Sequence, residues 1–216
     1  MNESIKTVAD GLLVAFEGID GAGKTSQLHE VAASLRSAGW LVQTIRAHGG
    51  TPIGEALRDV SFSSLERPAA TNLYISRAIH EALAQTIDTW RHDGAIILMD
   101  RSPLSIAGYQ IYGDGLDPEL GWSSIDAILA KLKIDLILFY AVSLEVARQR
   151  LAKRAQKSNY FESKPQEYFE AVKQGYERAA EKYEAVTIDA GQSFDAIQVK
   201  TQSLIQAALE QKTTSA

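Results

Sequence analysis

Five apolar runs recur along the chain, at residues 12–16, 41–45, 95–99, 136–140 and 185–188, and the intervals between them carry apolar positions in helical rhythm. Such runs read as buried strands. Their alternation with helices predicts an α/β fold, a five-stranded parallel sheet wrapped by helices on both faces. Between the first two runs, Leu28, Val31, Ala32 and Leu35 share one face of a helix over 24–38, which Gly39 should stop. Residues 69–92 read as one long helix, and Ser143, with Glu145 shortly after it, opens another that runs to about residue 154. The stretch 155–165 is polar and aperiodic and reads as a mobile loop between helices, while 113–118 is a second loop rich in turn formers. No repeat, low-complexity tract or linker divides the chain, so one domain is expected over residues 1–216.

In open parallel sheets, ligands sit at the carboxyl ends of the strands, and the chemistry-bearing residues of this chain fall there. After the first run, Gly18-Ile19-Asp20-Gly21-Ala22-Gly23-Lys24-Thr25 fills the template G-x-x-x-x-G-K-S/T. This is a phosphate-binding loop (P-loop): its glycines let successive N–H groups turn toward phosphate oxygens, and the helix that starts there adds the positive end of its dipole. Lys24 is expected on the β and γ phosphates of ATP and Thr25 on Mg2+. Gly18, Asp20, Gly21, Ala22, Gly23, Lys24, Thr25 and Ser26 form the expected ATP-binding set. Asp100, closing the third apolar run, is a second candidate for organising the metal, with a carboxylate satisfied by nearby N–H groups as the plainer reading.

Phosphoryl transfer asks a protein mainly for cations arranged around oxygens that gain charge. Arg46 and Arg101 follow the second and third runs, where a second anionic substrate would approach, and the planar guanidinium fork suits them to hold it. Taken singly, each could equally form a surface ion pair. Asp20 either faces the acceptor or sets the turn of the loop. Arg77, one helical turn after Leu73 and Tyr74, could line an acceptor pocket, although core packing is the commoner fate of such apolar neighbours. Arg148, Arg150, Lys153, Arg154 and Lys157 lead into the polar loop; they read either as a solvated helix face or as a lid, over about 153–164, that closes cations over the transferring group and excludes water. His29, His48, His80 and His92 show no metal-ligand spacing and default to surface or packing roles.

Composition narrows the classes. A net charge of −5 argues against a non-specific nucleic-acid binder, while permitting a small anion in a local basic pocket. No run approaches the roughly 18 apolar residues of a membrane span, and no secretory signal is expected at the start of the chain. The absence of cysteine excludes disulfides and thiolate metal sites and sits easily with a cytoplasmic location.

Together these segments resemble the thymidylate kinase family, whose members transfer a phosphoryl group from ATP to dTMP to give dTDP. The resemblance rests on Phe16-Glu17 with the loop that follows, on residues 49–58 (Gly-Gly-Thr-Pro-Ile-Gly-Glu-Ala-Leu-Arg), on Asp100-Arg101 with Ser105 and Ala107-Gly108-Tyr109-Gln110, and on Phe161-Glu162 and Tyr176. It implies that Arg46 and Arg101 hold the monophosphate and that Arg77 contacts the base. Asp20 would face the sugar hydroxyl and Tyr109 crowd the sugar 2′ position, with Gly50, Leu73, Tyr74 and Ser105 completing the acceptor site. It further implies Arg154 as a lid cation and a homodimer. The chain departs from the family pattern at three places. T-R-E-P-G-G reads Ile45-Arg46-Ala47-His48-Gly49-Gly50, Leu73 stands where a phenylalanine stacks on thymine, and D-R-F-E reads Asn159-Tyr160-Phe161-Glu162.

Rival readings remain at this level. Asp100-Arg101-Ser102 also resembles the D-R-S motif of deoxynucleoside kinases, but a sugar hydroxyl benefits from a carboxylate base, and Ala47 and His48 occupy the place where those enzymes carry it. A GTPase lacks support, since no N-K-x-D or T-K-x-D segment occurs. A nucleotide-binding protein that has lost catalysis is made credible by Ala47, Leu73 and Tyr160.

Overall fold

The computed structural model describes residues 5–63, 65–153 and 164–214. Five strands, β1 (Leu12–Glu17), β2 (Val42–Arg46), β3 (Ile96–Asp100), β4 (Leu136–Ala141) and β5 (Val186–Asp189), form one sheet in the order β2-β3-β1-β4-β5, with every neighbouring pair parallel. All five lie within the apolar runs or one residue beyond them. The α/β reading of the sequence therefore holds in strand number and direction.

Because side chains alternate across a strand, the central strands split their residues between two cores. Leu12, Val14 and Phe16 of β1 join Leu28 and Val31 of α1 (Lys24–Ser37), Tyr176 of α6 (Gln166–Lys182) and Ile197 and Ile205 of α7 (Phe194–Thr214). Leu13 and Ala15 point the other way, onto Leu73, Ile79 and Leu83 of α3 (Ala69–His92) and Ile125 of α4 (Pro118–Leu132). Burial on both faces is what makes these runs continuously apolar.

Helix starts follow local chemistry. Thr51 accepts a hydrogen bond from Gly54 N at the head of α2 (Pro52–Phe62), and Asp117 accepts one from Leu120 N before α4, each with proline at the first helical position, where its missing N–H is no loss. Ser143 caps α5 (Leu144–Ala152) in the same way. That helix ends two residues short of the expected boundary. The expected lid over 153–164 lies outside the described residues except for its ends, Lys153 and Lys164.

One element has no counterpart in the sequence reading. Residues Ala107–Gly113 form a π-helical segment, packed so closely on α6 that a Cβ at Gly108 would lie 2.7 Å from the Tyr176 ring and one at Gly175 2.6 Å from the Ala107 carbonyl oxygen. This approach carries Tyr109 and Tyr176 together at the carboxyl edge of the sheet. Their rings meet edge to face with centroids 5.9 Å apart.

Candidate functional site

Registers at the carboxyl edge bring three strand ends level. Asp100 on β3 lies opposite Phe16 on β1 and Arg46 on β2. The segments leaving β1, β3 and β2 therefore open side by side, and they line a cleft of about 530 Å³ with Asp20, Lys24, Thr25, Arg46, Asp100 and Arg101 among its walls. The two arginines and the loop lysine thus face one cavity.

The loop itself is held from both ends. Gly23 has φ +92° and precedes α1 without any side-chain cap, so the first-turn N–H groups of that helix keep their capacity for an anion. Gly21, at φ +84°, sits so near α5 that a Cβ would come within 2.4 Å of the Ala147 carbonyl oxygen. Lys24 is almost wholly buried and donates from Nζ to the Ile19 carbonyl oxygen at 2.9 Å. Burial and the nearby Arg101 lower its pKa to about 8, against the pull of Asp20, Asp100 and Glu17. An anion entering the loop relieves that penalty. Ser26, next on α1, is exposed.

Behind the loop stands Glu17, fully buried. Its carboxylate accepts hydrogen bonds from Gly18 N (3.0 Å), Ser102 N (2.8 Å), Ser102 Oγ (2.7 Å) and Ser105 Oγ (3.0 Å). One acidic side chain thereby fastens the start of the phosphate loop to the turn after β3. A buried carboxylate is tolerated only with this degree of satisfaction.

Arg101 leaves β3 with φ +73°, an uncommon conformation for a residue with a Cβ, and this turn directs its guanidinium across the cleft. Nη1 donates to Tyr176 Oη at 2.6 Å, and Nη2 donates to Asp20 Oδ1 and to Tyr109 Oη at 3.2 Å. Tyr109 Oη donates in turn to Asp20 Oδ2 at 2.9 Å, and Tyr176 Oη donates to Ser105 Oγ at 3.0 Å. Burial would lower the guanidinium's pKa, but the facing tyrosine oxygens and the carboxylates of Asp20 and Glu17 raise it above its ordinary value. It stays charged. Burial likewise raises the pKa of Asp20, but Arg101, Lys24 and the hydrogen bonds from Tyr109 and Arg101 outweigh it and bring the group to about 2.

At the β2 edge, Arg46 Nη2 donates to both oxygens of Glu55, each at 2.8 Å, and Glu55 Oε1 also accepts from Gly50 N at 2.7 Å. Only one guanidinium nitrogen is engaged by that pair. Thr25 Oγ1 donates to Asp100 Oδ2 at 2.6 Å, so the two oxygens expected to serve a metal are adjacent. Hydroxyl and carboxylate oxygens suit Mg2+, which keeps several waters and takes one or two protein ligands beside its phosphates.

The sequence-based site residues divide in two. Gly18, Asp20, Gly21, Ala22, Gly23, Lys24, Thr25, Arg46, Gly50, Asp100, Arg101, Ser105 and Tyr109 all lie in the cleft or in the segments that form it. Leu73, Tyr74 and Arg77 do not reach it. Leu73 is fully buried in the core beneath α3, and Tyr74 is 58% exposed. Arg77 is exposed beside α4, in a small recess with Glu81 and Lys131, its Nη1 3.5 Å from Ser124 Oγ. The reason is helical phase: Ser76, and not its neighbours, is the α3 residue that lines the cleft. Arg154 lies outside the described residues. Glu17, His48, Glu55, Arg58 and Phe62 were not singled out for this site. A carboxylate closing an apolar strand was the available signal for Glu17, whereas His48 is read from the sequence as lacking metal-ligand spacing and as standing, with Ala47, where a nucleoside kinase carries its base, not as a ring facing an acceptor.

This arrangement can be set beside known proteins. A family model described as thymidylate kinase matches residues 16–201, a span that contains the phosphate loop, both arginines and α6. The chain belongs to the thymidylate kinase family. It is 34% identical over 194 residues to a thymidylate kinase of Verminephrobacter eiseniae, covering 84% of this chain and 85% of that protein. Against a thymidylate kinase of Pseudomonas putida strain GB-1 the identity is 33% over 209 residues, with 93% and 97% covered, and against one of Cupriavidus pinatubonensis 35% over 199 residues, with 90% and 98% covered. Among the described residues of this thymidylate kinase-family chain, no helix is long and apolar enough to cross a membrane, and no three His, Cys, Asp or Glu side chains gather as a metal cluster.

Proposed function

We propose that this chain is an ATP-dependent nucleoside monophosphate kinase that transfers the γ-phosphoryl group of ATP to dTMP, giving dTDP and ADP, as a single kinase domain over residues 1–216. The observation that carries this reading is the convergence of Lys24, Arg101 and Arg46 on one cleft at the ends of three adjacent strands. Lys24 gives up the Ile19 carbonyl for the β and γ oxygens of ATP, and the uncapped N–H groups of α1 complete the cradle. Arg101, already fixed by Asp20, Tyr109 and Tyr176, presents the acceptor phosphate, and Arg46 contributes its uncommitted guanidinium edge. The attacking phosphate oxygen is ionised at neutral pH and requires no general base, so positioning and charge do most of the work. Mg2+ would be held through Thr25 and Asp100, where it would supply positive charge against the phosphate oxygens. Closure of a lid over 153–164, with Arg154 as an added cation, would exclude water. A homodimer acting in the cytoplasm completes the reading.

A deoxynucleoside kinase would need a carboxylate base near the acceptor. Glu55 lines the cleft, but the hydrogen bond from Gly50 N and the pairing with Arg46 lower its pKa and make it a poor proton acceptor. The test is turnover of ATP and magnesium with a panel of deoxynucleosides and their 5′-monophosphates. dTMP should be the best acceptor. Product from deoxynucleosides alone, or from none of the panel, would overturn the assignment.

A further inference from the structure

None of the three α3 residues considered for contacting an acceptor base from the sequence reaches the cleft, yet the cleft carries two rings on its β2 side. His48 follows β2 and Phe62 ends α2; both line the cavity, with ring centroids 5.8 Å apart and planes at 84°. Arg58 fixes this pair. Its Nη1 donates to the His48 carbonyl oxygen at 2.8 Å, and its guanidinium carbon lies 4.4 Å from the centre of the Phe62 ring. Among the described residues no group hydrogen-bonds either imidazole nitrogen of His48.

Topology says what would meet them. Strand ends about 4.8 Å apart place the β2 edge about 10 Å from the phosphate loop on β1, with Arg101 on β3 between them. An acceptor whose phosphate lies between Lys24 and Arg101 must extend its remaining atoms away from ATP, and the β2–α2 side offers an aromatic surface there. Tyr109, a further ring of the cleft wall, has its hydroxyl committed to Asp20 and Arg101.

We propose that His48, backed by Phe62, is the wall that receives the acceptor's base, and that a nitrogen of its ring hydrogen-bonds the base edge. This rests on the reading of the cleft as a mononucleotide acceptor site. A neutral imidazole offers one donor and one acceptor, which matches a pyrimidine edge where a carbonyl oxygen adjoins an N–H. Burial, then Arg101, His80, Arg58 and Arg46, lower the pKa of His48 to about 3, so the ring stays uncharged throughout the neutral range. It therefore contacts the base without adding a cation to the phosphate-binding set. The base is held from the β2–α2 side.

The experiment compares the wild-type chain with His48→Ala, His48→Gln and Phe62→Leu, each first confirmed to be folded by its thermal transition. Titration calorimetry measures binding of dTMP and of deoxyribose 5-phosphate, which lacks the base, and steady-state kinetics follow separately. His48→Ala should weaken dTMP binding about ten-fold while leaving deoxyribose 5-phosphate and the KM for ATP unchanged. His48→Gln, which keeps a donor and an acceptor but not the ring, should recover part of the loss, and Phe62→Leu should show a smaller one. Unchanged dTMP affinity in His48→Ala, or an equal loss for both ligands, would overturn the proposal. If wild-type turnover of dTMP is robust and only the His48 effect is missing, the kinase reading stands and this inference falls. If dTMP binds in a His48-dependent way without turnover, the inference stands and the kinase reading falls. Failure of the wild-type chain to bind dTMP removes both.

Discussion

The phosphate loop with its β3 neighbour and the acceptor wall built from β2, α2 and α3 are lined by comparable numbers of polar groups, yet they are organised differently. On the phosphate side, Glu17, Lys24, Asp20 and Arg101 are bound to one another or to main chain within a few residues of a strand end, and the backbone adopts positive φ at Gly21, Gly23 and Arg101. On the acceptor wall, Arg46 and Glu55 are half-exposed, and beside Arg46 and His48 the cleft is faced by Glu55, Arg58, Phe62 and Ser76, which come from helices whose phase decides what they present. The first region is preorganised by an ion pair and hydrogen bonds between neighbouring strand ends, and the second by contacts within the one segment 46–58. Electrostatic stabilisation needs the former, because groups fixed before the reaction lose nothing to reorganisation during it.

The largest expected effect lies in the preorganised half. Lys24→Ala should reduce transfer by about 10³-fold or more, since it removes the charge nearest the migrating phosphoryl group, while the thermal transition stays close to that of the wild type. Lys24 lines the cleft, so its truncation enlarges an existing opening and not the sealed core, and kinetics together with a melting curve would separate the two effects. Turnover within ten-fold of normal would place the essential charge elsewhere and break the contrast between the regions.

The contrast extends to which charges each region buries. Lys24 is a buried cation with a pKa of about 8, so it loses its proton as pH rises from 7 to 9, and ATP affinity should fall about ten-fold over that interval. Lys24→Met should abolish that dependence in a binding titration. On α3 the buried group is instead neutral. His80 Nδ1 lies 2.8 Å from the Ser76 carbonyl oxygen, which can only accept, so Nδ1 carries the proton; Nε2 is buried with no partner. Burial lowers its pKa to about 4, against the raising effect of that hydrogen bond. A histidine depressed in the folded state binds fewer protons there than in the unfolded chain, so its stabilising contribution is full above about pH 6.5 and is lost as pH falls toward 4. At pH 5.5 the loss from His80 should be about 1 kcal/mol relative to pH 7, and denaturant titrations of His80→Leu should lack that share.

Particular residues explain how much of this was legible beforehand. The five strands could be read because burial on both faces makes them continuously apolar, and the P-loop because its spacing is a local backbone requirement. Arg46 and Arg101 were legible by position, since a strand end at the carboxyl edge has only one side to face. The π-helical segment was not, because its stability comes from Gly108 and Gly175 admitting α6, a contact between residues 67 positions apart that no local pattern records. Leu73 and Arg77 lie four residues apart on α3; the resemblance puts both at the acceptor, while core packing is the commoner fate of Leu73 by its residue type. The packing of that helix on the sheet turns Leu73 inward and Arg77 outward, and only tertiary contacts determine such a rotation. The ring of His48 was not legible as an acceptor wall, because its neighbours, and not its spacing, make it part of the cleft.

The smallest expected effect tests how far the preorganised region extends. Tyr176 lies 75 residues from Arg101 and touches it through a hydroxyl that accepts from Nη1 and donates onward to Ser105, which donates to Glu17. This chain of hydrogen bonds runs from the guanidinium to the carboxylate that also anchors Gly18. Tyr176→Phe keeps the ring packed against Phe139 and Tyr109 and deletes only the oxygen, so the fold has no reason to change. A neutral hydrogen bond is worth about 0.5–1.5 kcal/mol net, and one accepted from a charged donor about 1.5–3. Asp20 and Tyr109 still hold Nη2, so the loss should fall below the charged-donor range, at about 0.7–1.4 kcal/mol, a fall of roughly three-fold to ten-fold in kcat/KM for dTMP with little change in the KM for ATP. A larger drop in kcat than the rise in acceptor KM would mean that Tyr176 orients Arg101 chiefly in the transition state. An effect on both substrates alike would mean that the network serves the loop through Glu17, and the boundary between the two regions would then fall beyond Arg101, within α6.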